Sequence, residues 1–143
     1  MLIEMHLARI LIREHTSAQI IELRELHPVA GEPRSFPIVI GISEAIAIDR
    51  RLSGFKVGRP LTHDLLADTI EALGATLDSI AITDIVEGTF FATLNLVDSE
   101  GTAVTIDARP SDAIALAVAG DVPIYVSDTV IDDAIMPPMD GLE

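Results

Sequence analysis

A chain of 143 residues matches the usual size of one domain, and 49% hydrophobic residues with one Tyr, four Phe and no Trp imply a largely aliphatic core. Nine basic against 23 acidic side chains give a net charge of −14, which repels polyanions and withholds the Lys and Arg of a generic DNA-binding surface. The lack of cysteine excludes disulfides, thiolate zinc sites and cysteine nucleophiles, so any metal must bind Asp, Glu or His.

The first segment, residues 2–13, alternates as a strand, with Ile3, Met5, Leu7 and Leu11 on one side. Both faces are partly apolar, which predicts a central strand and some apolar surface shared between subunits, hence a homo-oligomer. Glu4, His6 and Arg9 stand where a signal peptide would need an apolar stretch, and no run approaches the roughly 20 apolar residues of a membrane span. The chain is therefore expected to be cytoplasmic, with no membrane partner.

A second strand at 17–26 follows closely enough for an antiparallel hairpin, and Pro28, Gly31 and Pro33 mark 27–35 as a loop. FPIVIG at 36–41 is a short β-branched strand. Ser43 is the expected cap of a helix reaching about Leu52 and closed by Gly54. Residues 55–60 read as a loop. Thr62 caps a second helix over 63–73, with Leu65, Leu66, Ile70 and Leu73 on one face.

Strands at 77–86 and 89–97 flank a two-residue turn at Glu87-Gly88, and a third strand at 102–107 leads through Arg109-Pro110 into a helix that ends before Gly120. Residues 123–127 form the last strand. From Asp128 the acids and prolines predict little fixed structure, with a domain over 1–135 and a flexible acidic tail at 136–143. Hairpins without strict βαβ alternation define an α+β class: a mixed, largely antiparallel sheet with about three helices packed on it.

Two constellations carry candidate chemistry. His63 and Asp64 open the second helix, where the imidazole can serve as general acid or base and the carboxylate can orient it or bind metal. The bland alternative is a capped helix whose Asp complements the dipole. Asp107, Arg109, Ser111 and Asp112 occupy a strand-to-helix junction, with Arg109 and Ser111 as the substrate-binding pair and Arg109 as a bidentate phosphate clamp. Asp107 and Asp112 can hold Mg²⁺ or Mn²⁺, and Glu44 and Asp64 complete the candidate ligand set if the helix starts converge. Here the bland alternative pairs Arg109 with Asp107 or Asp112. Phosphate-binding glycine loops, zinc-protease and nucleophile-elbow motifs are absent from the sequence.

The strings FPIVIGISEA at 36–45, RPLTHDLL at 59–66, FFATL at 90–94, DARPSDAIALA at 107–117 and PIYVS at 123–127 resemble the bifunctional-nuclease domain family in order and spacing. That resemblance implies an oligomeric α+β domain and hydrolysis of DNA and RNA phosphodiesters. His63 and Arg109 are then the expected catalytic residues, on chemical grounds. The rival expectation is a non-enzymatic oligomeric binding or assembly module, since every one of these residues also has a structural role open to it.

Overall fold

The computed structural model describes residues 1–135, so the expected tail at 136–143 lies outside the described residues. Strands β1 (Leu2–Leu11), β2 (Ala18–Glu25) and β3 (Ser35–Gly41) come first, followed by helices α1 (Ile42–Ser53) and α2 (Thr62–Ala72). Strands β4 (Thr76–Val86), β5 (Thr89–Val97) and β6 (Ala103–Ala108) then precede α3 (Pro110–Ala119), β7 (Ile124–Ser127) and α4 (Asp128–Ile135). The sheet runs β3-β2-β1-β7-β4-β5-β6 and is antiparallel at every pairing except β4 with β7. Among the described residues, no helix is long and apolar enough to cross a membrane.

Strict alternation decides which side of β2 and β3 is buried: Gln19, Ile21, Leu23 and Glu25, then Phe36, Ile38 and Ile40, all face the core. β1 lies inside the sheet, as its two apolar faces imply, but its parity changes midway. The register slips between Leu7 and Arg9, a bulge that turns Ile10 toward the core and leaves Leu11 exposed, the reverse of the simple alternation. The Glu87-Gly88 turn has both residues at positive φ (52° and 82°), the backbone of a tight hairpin turn matching strand twist.

Helix α3 is the centre of the packing. Ala113 to Ala117 are all buried, and their small side chains let the helix approach both the sheet and α1, whose Ala45 and Ile48 are fully covered. The sheet curls enough for Phe36 on β3 to stack on Phe90 of β5, with ring centroids 5.7 Å apart, although the two strands lie far apart in the sheet order.

Helix α4 corrects the expectation of little structure after Asp128. Val130 and Ile131 are buried, and Arg34 holds the acidic face with Nη1 at 2.9 Å from Asp128 and 3.2 Å from Asp132. The same guanidinium donates to Glu25 at 2.7 Å, which stabilises that buried carboxylate as an anion and lowers its pKa. Acids that look merely solvating in the sequence are thus the partners of a distant arginine. The helix caps also differ from expectation: Gly41 and Leu61 occupy the positions before α1 and α2, one residue or more upstream of Ser43 and Thr62.

Candidate functional site

The chain emerging from β6 places Asp107 and Arg109 at the start of α3. Pro110 takes the first helical position, where a missing N–H costs nothing, and Asp112 sits in the first turn, where the helix dipole favours a carboxylate. The starts of α1 and α2 bring Glu44 and His63 to the same place. Glu44, His63, Asp107, Arg109 and Asp112 all line one hollow of about 740 Å³, with an apolar floor of Ile46, Leu66, Ile70, Leu94, Ile106 and Leu116.

Within it, side chains from three helix starts form one continuous chain of contacts. His63 Nε2 lies 2.9 Å from Asp112 Oδ1. Arg109 grips the same carboxylate with Nε at 2.9 Å from Oδ2 and Nη2 at 3.1 Å from Oδ1, while its Nη1 reaches Glu44 at 3.3 Å. Partial burial pushes the Asp112 pKa up, but the hydrogen bonds and charges of Arg109 and His63 outweigh it, and the net shift is downward. Asp112 is accordingly an anion at neutral pH. With Nε2 directed at Asp112, Nδ1 is the ring nitrogen turned away from that carboxylate.

Arg109 matches neither sequence alternative in full. It is paired with Asp112, as one alternative has it, yet 62% of its side chain is exposed, as a ligand clamp requires. Asp107 is exposed and makes no ion pair among the described residues. Ser111 is only 6% exposed and lines a different hollow beside β3 and the β4–β5 turn, apart from His63.

Asp64 is also apart. Its carboxylate accepts from Arg50 Nη2 at 2.9 Å, from Arg51 Nη1 at 2.5 Å and from the Leu61 backbone N–H at 3.0 Å. Arg50 first, with Leu61 and Arg51, depresses its pKa from 3.8 to about 2. It ties α2 to α1 and lines a second hollow. Among the described residues, no group of three or more His, Asp or Glu side chains is arranged to hold a metal ion. Three of the four candidate ligands, Glu44, Asp64 and Asp112, are instead occupied by arginine, and the carboxylates as they stand do not fit a resident Mg²⁺ or Mn²⁺.

Sequence reasoning passed over the second hollow, about 480 Å³ in volume, which Arg50, Arg51, Lys56 and Arg59 line together with Asp64 and Asp68. The signal was present. Four of the nine basic residues fall within positions 50–59 of a strongly acidic chain.

A curled seven-stranded sheet with a histidine and an arginine meeting on one carboxylate at the helix starts defines a class of domain, and the comparisons supply its family. The family model of the bifunctional nuclease domain matches residues 26–138, and the chain belongs to that family. An uncharacterized protein of Mycobacterium tuberculosis is 40% identical over 131 residues, covering 92% of this chain and 75% of that protein. Bifunctional nuclease 2 of Arabidopsis thaliana is 29% identical over 93 residues, covering 64% of this chain, and bifunctional nuclease 1 of Oryza sativa subsp. japonica is 26% identical over 99 residues, covering 68%. The chain spans only 28% and 30% of the length of those two plant proteins.

Proposed function

We propose that this protein is a phosphodiester hydrolase acting on DNA and RNA, with the larger hollow as its active site. The observation that carries the reading is the His63–Asp112–Arg109 contact inside that hollow, supported by membership of the bifunctional nuclease family. In this reading Asp112 orients the His63 ring through its contact with Nε2. His63 exchanges a proton with the attacking water or the leaving oxygen, and Arg109 swings from its surface ion pair to clamp a phosphate oxygen. Were a divalent ion to be used, Asp107, which pairs with no arginine among the described residues, would be the side chain to hold it, and the ion would supply charge neutralisation at the phosphate. Ser111, 6% exposed and absent from the lining of the larger hollow, takes no substrate-binding role in this reading.

A second reading has its own observation. Every charged member of the site except Asp107 is satisfied internally, and α2 buries none of its residues completely, while Leu65 on it (58%) and Leu73 directly after it (76%) are exposed. An apolar helix face of that kind suits a homo-oligomer, and under this reading the site charges only hold the helix starts together. The two readings part on His63→Ala assayed against plasmid DNA and RNA, with melting temperature measured on the same preparation. The nuclease reading expects cleavage to vanish with the fold intact. Unchanged cleavage by His63→Ala rejects it.

A further inference from the structure

The larger hollow is poorly equipped to attract a polyanion alone: Glu44, Asp107 and Asp112 against Arg50 and Arg109 leave one net negative charge with His63 neutral. The second hollow has the opposite balance. Arg50, Arg51, Lys56 and Arg59 against Asp64 and Asp68 leave a net charge of +2 within a chain of −14. The two hollows share Arg50, and the adjacent residues His63 and Asp64 line one each.

The four cations divide their work. Arg51 is nearly buried and ties α1 to α3, with Nε at 2.7 Å from the Ala115 carbonyl, while Arg50 donates to the Phe55 carbonyl at 3.3 Å and so braces the 54–60 loop. Gly54 turns the chain out of α1 at φ 78°, and Pro60 restricts Arg59 to extended backbone. Lys56 and Arg59 are exposed and make no ion pair among the described residues. Between them and α1, Phe55 stands 65% exposed, although Phe36 and Phe90 are stacked inside.

An apolar ring held in water beside unpaired cations is unfavourable for the free chain. It is the arrangement of a single-strand platform, where cations follow the phosphates and a base stacks on the ring. From this juxtaposition we infer that the 54–60 loop docks single-stranded nucleic acid, with Phe55 under a base and Lys56 and Arg59 on the backbone, and feeds it past Arg50 into the His63–Asp112 hollow. A duplex keeps its base faces stacked and out of reach of Phe55, and its larger charge meets the acidic remainder of the surface. The inference rests on the proposed nuclease reading only in naming nucleic acid as the ligand.

The test is fluorescence anisotropy of the full chain with a labelled oligothymidylate strand at low salt, in EDTA, with a duplex of equal length alongside. The single strand should bind more tightly than the duplex. Phe55→Ala should weaken single-strand binding about tenfold. Lys56→Ala/Arg59→Ala should flatten the dependence of log affinity on log salt by about 1.4, at about 0.7 for each phosphate no longer neutralised. Melting temperatures should not move, since all three side chains are exposed. A wild type that ignores the single strand, variants that bind as the wild type does, or a duplex bound equally well each overturn the inference. If the variants bind normally while His63→Ala alone abolishes cleavage, the docking loop falls and the nuclease reading stands. If binding is weakened as expected but the wild type never cleaves, the docking loop stands and the nuclease reading falls.

Discussion

Replacing Asp64 by Asn removes the one negative charge between Arg50 and Arg51 while keeping the shape of the side chain. The three side chains are largely covered, at 23%, 13% and 9% exposure, so their attraction is only partly screened. A fall in pKa from 3.8 to about 2 corresponds to about 2 kcal/mol of folding stability at neutral pH, and stranding two arginines raises the loss to about 2–3 kcal/mol. For a chain of this size that is a drop of about 6–9 °C in melting temperature. Because the folded-state pKa is the lower one, the contribution is complete above the unfolded value and disappears as pH falls from 3.8 toward 2. Urea titrations of wild type and Asp64→Asn from pH 7 down to pH 2 should therefore converge at the acid end. Equal stability at pH 7, or a difference that ignores pH, refutes the ion-pair account. Loss of Mg²⁺-dependent cleavage without loss of stability returns Asp64 to the metal ligands.

Arg109→Ala should cost no more than about 1 kcal/mol, because its pairs with Asp112 and Glu44 are at the surface, while abolishing cleavage of DNA and RNA. A large drop in the denaturation midpoint would identify it as structural. Arg34→Ala leaves Glu25, 7% exposed, without its partner and should destabilise by about 3 kcal/mol, with limited proteolysis cutting first near α4. Wild-type resistance at that helix would contradict the anchoring role. Light scattering should give a mass well above 15.3 kDa at micromolar concentration, and Leu65→Glu/Leu73→Glu should return it to the monomer if α2 forms the contact.

Local chemistry is legible wherever it has a short period. Alternation in β2 and β3, positive-φ geometry at Glu87-Gly88 and Pro110 opening α3 were all readable, because each depends on a few neighbouring residues. The convergence of the helix starts was legible only as a condition: Glu44, Asp64 and Asp112 could meet as one carboxylate group, but nothing in their spacing required it. The structure brings His63 and Asp112 to 2.9 Å across 49 residues of chain, and it separates Asp64 and Ser111, which stand beside them in sequence, into other hollows.

The same distinction explains the remaining differences. A one-residue bulge near Ala8 reverses which side of β1 is buried from Arg9 onward, and no composition signal marks it, because both parities present apolar side chains. The acids of α4 read as tail until Arg34, 94 residues away from Asp128, reaches them. By itself the sequence determined the strands, the turns, the start of α3 and the family, since propensity and motif act over a few residues. Tertiary structure decided which arginine each carboxylate meets, because an ion pair forms wherever folding brings opposite charges within a few ångströms, whatever their separation along the chain.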